Sequence, residues 1–313
     1  MKKSLVALAV LGLSGAAMAQ SAVTLYGVAD AGYGRVKYGC AANTPACKGQ
    51  FIGAGLMNNG DSRVGVKGTE DMGGGMTASF NFETGLSLDD GSTRGAFWQR
   101  QANVAVGGAW GTVKLGRQFT PSYLANSLYD LTGMANYAVV GNTYSYLGVG
   151  DRRVPSAFAY VSPTFSGVTA AVGYVTKNDL GANKAAWDAA VLYGNGPISA
   201  GLGVNKVVNS KTNYQLGGKY DFGGFAVAAS YTQASNQAKD VRRGLGLGGS
   251  ATFGAFSVVL DLTRDLKNHW GPKKYTNGVA EVKYAMSKRT SLYGAYLRLD
   301  KTNNYGVGIH HNF

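Results

Sequence analysis

Stretches of alternating polarity recur along the whole chain, joined by short and long connections that strictly alternate. The short ones are 71–75 (DMGGG), 107–111 (GGAWG), 162–167 (SPTFSG), 194–197 (GNGP), 221–224 (DFGG), 252–254 and 287–289, all with hairpin-turn chemistry. The long, polar ones are roughly 36–60, 87–94, 119–152, 177–185, 207–211, 235–240, 265–274 and 300–303. Seven turns and eight loops join sixteen strands, with the turns at one end of the sheet and the loops at the other. An even strand number returns the last strand to the first, so the sheet closes and has no exposed edge.

The strands have two differently solvated faces. In the last ten residues, NYGVGIHHNF, the side chains Tyr305, Val307, Ile309, His311 and Phe313 share one face, and Asn304, Gly306, Gly308, His310 and Asn312 the other. Between 256 and 263, Phe256, Val258, Leu260 and Leu262 oppose Ser257, Val259, Asp261 and Thr263, while Phe80 and Phe82 oppose Ser79, Asn81 and Glu83. Charges at alternate positions of an apolar strand need water on one face, and an apolar outer face suits lipid, where every backbone polar group must be paired within the protein. The predicted fold is therefore all-β: a sixteen-stranded antiparallel transmembrane β-barrel. The stretch 99–106 fits less well, because Arg100 shares parity with Val104 and Val106 while Gln101 and Asn103 would face out; it reads as a wall buried against another subunit.

No run of eighteen apolar residues follows Leu13, which excludes helical membrane spans. Residues 1–19 read as a secretory signal, with Lys2 and Lys3 ahead of the apolar core 5–13 and Ala17-Met18-Ala19 at the cleavage site, leaving 20–313 as the barrel domain. Of the 30 Lys and Arg, two fall in that leader; the other 28 against 17 acids leave the mature chain at +11. In an exported chain, Cys40 and Cys47 in one loop favour a local disulfide. No metal or cofactor is expected, since the only histidines are His269, His310 and His311 and none lies near the cysteines. None of them accompanies a plausible nucleophile, so no enzyme is expected either. The basic residues are spread over strands and loops with no helix to present them, which argues against nucleic-acid binding.

Taken in order, several motifs resemble the general bacterial porins of Gram-negative outer membranes, in particular the trimeric, anion-favouring type. They are VTLYG at 23–27, SRVGVKGTED at 62–71, GTVKLGR at 111–117, YVSP at 160–163 with FSG at 165–167, and SKRT at 287–290 followed by Leu292 and Tyr293. The resemblance spans the mature chain. It implies a homotrimer in outer-membrane lipid and lipopolysaccharide, and a third loop folded into the lumen as a constriction. It further implies that Phe313 is the signal read by the barrel-assembly machinery. That third loop is the longest connection, 119–152, and carries Tyr123, Tyr129, Tyr137, Tyr144 and Tyr146, whose rings suit packing inside a wet lumen.

The expected function is a passive outer-membrane pore for small hydrophilic solutes, small anions above all. A ring of like charges in a narrow pore with low-dielectric walls lowers the entry energy of the opposite ion. The resemblance places the basic wall on Arg63, Arg100 and Arg153 and its acidic counterparts on Glu83 and Asp130. Parity independently turns Arg63 and Arg153 inward, and Lys67 and Lys114 with them. Arg94, Arg117 and Arg152 read as strand-end contacts. A channel of the same fold selective for phosphate or another anion is the alternative.

Overall fold

The two ends of the chain meet in one hydrogen-bonded seam. The computed structural model describes residues 22–38, 49–145, 152–176, 185–236 and 238–313. Its first strand, β1 (Ala22–Arg35), pairs antiparallel with its last, β17 (Thr302–Asn312), from Val28 opposite Asn312 to Arg35 opposite Tyr305. Phe313 extends the seam, because its N–H donates to the Gly27 carbonyl and the Gly27 N–H donates back, both at 3.1 Å. The leader at 1–19, the Cys40–Cys47 pair and Tyr146 lie outside the described residues.

Between the seam strands run β3 (Arg63–Gly73), β4 (Met76–Gly85), β5 (Gln101–Gly108), β6 (Gly111–Phe119), β7 (Arg153–Val161), β8 (Val168–Val175), β9 (Ala186–Asn195), β10 (Ile198–Val207), β11 (Asn213–Asp221), β12 (Phe225–Ser235), β13 (Val241–Phe253), β14 (Phe256–Asn268), β15 (Thr276–Ala285) and β16 (Thr290–Leu299). Each pairs antiparallel with the next, so sixteen strands close into a barrel. The short and long connections fall where their turn residues place them. One strand has no counterpart in the alternation pattern: β2 (Gln50–Ile52), three residues of the first long connection that pair with Gly32, Tyr33 and Gly34 of β1.

The outer wall is the apolar one. Leu247 and Val307 are 66% and 62% exposed, whereas Asp261, Thr263 and Asn304 on the opposite faces are buried. Aromatic side chains cluster at the short-turn end, where Phe222 stacks on Phe225 and Phe256 lies against Tyr284. The stretch 99–106 departs from its expected parity. Strand β5 begins only at Gln101, so Arg100 stands outside the alternation; Val104 and Val106 face outward while Asn103 and Ala105 are buried on the lumenal side. At the start of β7, Ser156 has a φ of +47° and the pairing with β6 shifts register between Gly116 and Gln118, which keeps Arg153 inward past Pro155.

The core of this protein lies inside the barrel, where the connection between β6 and β7 folds in. Among its described residues are two short helices, α1 (Pro121–Ser127) and α2 (Val139–Thr143). Thr120 caps α1, its Oγ1 accepting from the Tyr123 N–H at 3.2 Å, and Pro121 supplies a preset φ in the first turn. Tyr137, Val139, Val140 and Tyr144 pack with Val279, Tyr293, Leu297 and Leu299 of the wall. Hydroxyls then meet wall acceptors: Tyr137 donates to Glu281 at 2.6 Å and Tyr129 to Gln215 at 2.9 Å. Two wall glycines make the seat. A Cβ on Gly201 would stand 2.3 Å from the Ala125 carbonyl oxygen, and one on Gly217 2.5 Å from the Tyr129 ring.

Candidate functional site

The loop-side ends of several strands bring a cluster of arginines to one lumenal cavity of about 290 Å³. Arg63 opens β3, Arg153 opens β7 directly opposite Phe119 at the end of β6, and Glu83 stands near the end of β4 opposite Gly65. Arg100, just ahead of β5, is fixed by its own N–H donating to the Glu83 carbonyl at 3.2 Å. From there its guanidinium bridges two carboxylates, Nε to Glu83 at 2.6 Å and Nη1 to Asp61 at 2.7 Å. Glu83 also faces Arg63 at 3.5 Å and Arg153 at 4.0 Å, and accepts from the Tyr26 hydroxyl at 3.0 Å.

Asp61 is the second anchor. It pairs with Arg94 as well as Arg100 and accepts from the Asn136 amide at 2.9 Å. Asn136 belongs to the inward loop and accepts in turn from Arg152 at 3.2 Å, so the anchor ties the loop to the wall. Burial on its own would raise the Asp61 carboxyl; Arg100, then Arg94, the Asn136 amide and Arg152 outweigh it and hold it at about 2. On the far side, Arg153 lies over the Phe119 ring at 4.1 Å, and Phe119 stacks on Tyr123.

Arg63, Arg94, Arg100, Arg152 and Arg153 surround Asp61 and Glu83. Four of these guanidiniums, Arg63, Arg100, Arg152 and Arg153, line the cavity with the two carboxylates, an excess of two positive charges along its wall. The carboxylates hold the guanidiniums in a fixed arrangement without cancelling their field. His310 lines the same cavity from β17, its Nδ1 2.8 Å from Asp30 Oδ2.

Of the residues expected here, Arg63, Arg100, Arg153 and Glu83 are brought together, and Asp130 and Lys114 are not. Asp130 is buried, and its Oδ2 accepts from Thr132 Oγ1 at 2.8 Å and from the Met134 N–H at 2.5 Å, fixing the tight turn in which Gly133 has a φ of +73°. Burial, the largest influence, pushes its carboxyl up, opposed by those hydrogen bonds and by Lys283. Lys114 is half-buried on the lumenal face of β6, three residues from the turn at Gly111 and so towards the opposite end of the barrel. Asp61, Arg152 and His310 join the cavity without having been singled out for it, and Arg94 backs it through its pair with Asp61. Asp61 carried a usable signal, since it precedes Arg63 by two residues and so shares its parity.

A model described as Gram-negative porin matches residues 4–304. Outer membrane porin protein 32 of Delftia acidovorans is 32% identical to this chain, with 98% of this chain and 92% of that protein aligned. An outer membrane porin protein of Bordetella pertussis is 28% identical over 100% of both chains. Among solved structures, the anion-selective porin from Comamonas acidovorans superimposes with a TM-score of 0.77 at 25% identity, over 94% of this chain and 100% of that one.

Proposed function

The chain belongs to the Gram-negative porin family and forms an outer-membrane diffusion channel, and we propose that this channel favours anions through its arginine-rich constriction. The observation that carries the reading is the excess of guanidiniums over carboxylates around the lumenal cavity. Low-dielectric walls focus that charge onto a passing ion, lowering the barrier for an anion and raising it for a cation. Arginine keeps its charge at any working pH, and its donors partly replace anion hydration. Lys67 and Lys114, on the lumenal face nearer the turns, extend the positive potential along the path.

Passive diffusion fits better than a tight phosphate site. A bidentate phosphate ligand needs guanidinium donors left over for it. Arg100 instead commits Nε and Nη1 to Glu83 and Asp61, and Arg152 commits Nη1 to Asn136. The assembly is a homotrimer in this reading, with the exposed Phe97 and Trp98 of the connection between β4 and β5 available to a neighbouring copy. Zero-current potentials across a planar bilayer in a salt gradient test both points. Anion preference and conductance steps in threes are expected, and a cation-selective sign overturns the charge argument.

A further inference from the structure

In the seam that closes the barrel, Asp30 of β1 stands directly opposite His310 of β17. Asp30 is buried, and His310 lines the arginine cavity. Four donors converge on the Asp30 carboxylate. Its Oδ1 accepts from the Tyr293 hydroxyl at 2.7 Å and the Asn58 amide at 2.9 Å; its Oδ2 accepts from the Gly60 N–H at 2.9 Å and meets His310 Nδ1 at 2.8 Å. A carboxylate has no proton to give, so Nδ1 carries the hydrogen and Nε2 is left as the basic atom, on the edge of the ring away from Asp30. The imidazole is thereby held in one tautomer, and a second proton has one place to go.

Asp30 faces this ring from β1 and Arg63 from the start of β3, since a Cβ on Gly60 would meet His310 Cε1 at 3.4 Å and Arg63 Nη1 at 3.7 Å. Asp61 lines the same cavity, and Tyr293 of β16 reaches the pair through Asp30. Arginine keeps its charge at any working pH, and the Asp61 carboxyl is held at about 2. Imidazole is the side-chain group that exchanges a proton between pH 5 and 8. The chain has three histidines, and the other two stand elsewhere. His269 is exposed in the long connection after β14, and His311 turns outward, its Nδ1 2.9 Å from Thr290 Oγ1.

We propose that His310 is the adjustable charge of the constriction: a proton gained at Nε2 adds one positive charge to the cavity wall, so anion preference rises as the pH falls. With Asp30 fixed behind it, the pair passes from one net negative charge to none. The inference rests on the arginine filter proposed above, to which His310 adds. Arg63, Arg100, Arg152 and Arg153 set the preference at every pH, and the imidazole sets how far it increases in acid.

The test measures reversal potentials of the full-length channel in planar bilayers, under a potassium chloride gradient, at pH 8 and at pH 5. One unit of wall charge is worth about threefold in the anion-to-cation permeability ratio, so the parent should gain about threefold between the two. His310→Gln, whose amide can still donate to Asp30, should hold the parent's pH 8 ratio at both. His310→Arg, with a permanent charge, should hold the parent's pH 5 ratio at both, so the inference stays testable if either variant fails to assemble. His269→Gln and His311→Gln should gain as the parent does. A parent ratio equal at pH 8 and pH 5, a gain that survives in His310→Gln or His310→Arg, or one lost in His269→Gln or His311→Gln would overturn the assignment. An anion-selective ratio that ignores pH sinks this inference alone, whereas a cation-selective sign at pH 8 sinks the arginine filter beneath it.

Discussion

Replacing Arg153 by glutamate gives the sharpest measure of the charge argument, because its guanidinium lies 4.0 Å from Glu83 and 4.1 Å from the Phe119 ring on the wall of the cavity. An ion passing about 6 Å away in a water-like medium feels roughly 0.7 kcal/mol per unit charge. A Debye length of about 10 Å at 0.1 M salt reduces this to roughly 0.4 kcal/mol. Arg153→Glu changes the wall by two units, so the anion barrier rises by about 0.8 kcal/mol and the cation barrier falls by as much. The anion-to-cation permeability ratio should then drop about tenfold, and low-dielectric walls make that a lower bound. Arg153→Gln changes one unit without setting a second carboxylate beside Glu83 and should give about a threefold drop. Reversal potentials in a salt gradient read the ratio directly. Arg243→Glu, outside the lumen on β13, serves as the control and should leave the potential within error of the parent. Equal shifts for Arg153→Glu and Arg243→Glu, or none for either, would refute a constriction-based filter.

Asp61→Asn removes a carboxylate held at about 2, so the stabilisation it draws from Arg100 and Arg94, about 2 kcal/mol, should disappear at neutral pH. Because the folded-state value lies below the unfolded one, that stabilisation is present in full above about pH 4 and is lost as the pH falls through about 2; the difference in melting temperature between parent and variant should be constant near neutrality and shrink in acid. Gly201→Val places a side chain where a Cβ already stands 2.3 Å from the Ala125 carbonyl oxygen, so α1 must lift from the wall at a cost of about 1–3 kcal/mol. A helix lifted from the wall moves into the lumen, so single-channel conductance should fall, and an unchanged conductance would show that α1 does not set the pore width. Deleting Phe313 removes its paired hydrogen bonds with Gly27 and the ring that lies over that glycine; folded barrel in the outer membrane, followed by heat-modifiable electrophoretic mobility, should fall sharply.

The barrel was legible because lipid imposes its rule one residue at a time. Phe256, Val258, Leu260 and Leu262 face out because each alternate side chain must be apolar, and β14 obeys this without reference to any distant part of the chain. The constriction follows no such local rule. Arg100 and Arg152 stand outside the strands, where parity carries no information, and they converge with Asp61 only because the barrel brings the loop ends of β3, β5 and β7 to one side of the lumen. Parity misplaced Val104 and Val106 for the same reason: it was counted from Arg100, one residue before the strand began.

Asp130 shows a different limit. An acid in an inward loop reads as a pore charge, yet Asp130 is buried and its Oδ2 accepts within the loop, from Thr132 Oγ1 and the Met134 N–H. Whether a carboxylate faces the path of ions or fixes its own backbone depends on the fold of the next few residues, which side-chain chemistry does not reveal. The lumenal glycines carry the converse lesson. Gly201 and Gly217 leave mid-strand positions without a side chain, which on its own weakens a strand. With the loop in place they are the positions where α1 and Tyr129 approach the wall too closely for any Cβ. A glycine on the inward face of a barrel strand is therefore evidence for something packed against it, and several such glycines on adjacent strands trace the footprint of the loop that narrows the pore.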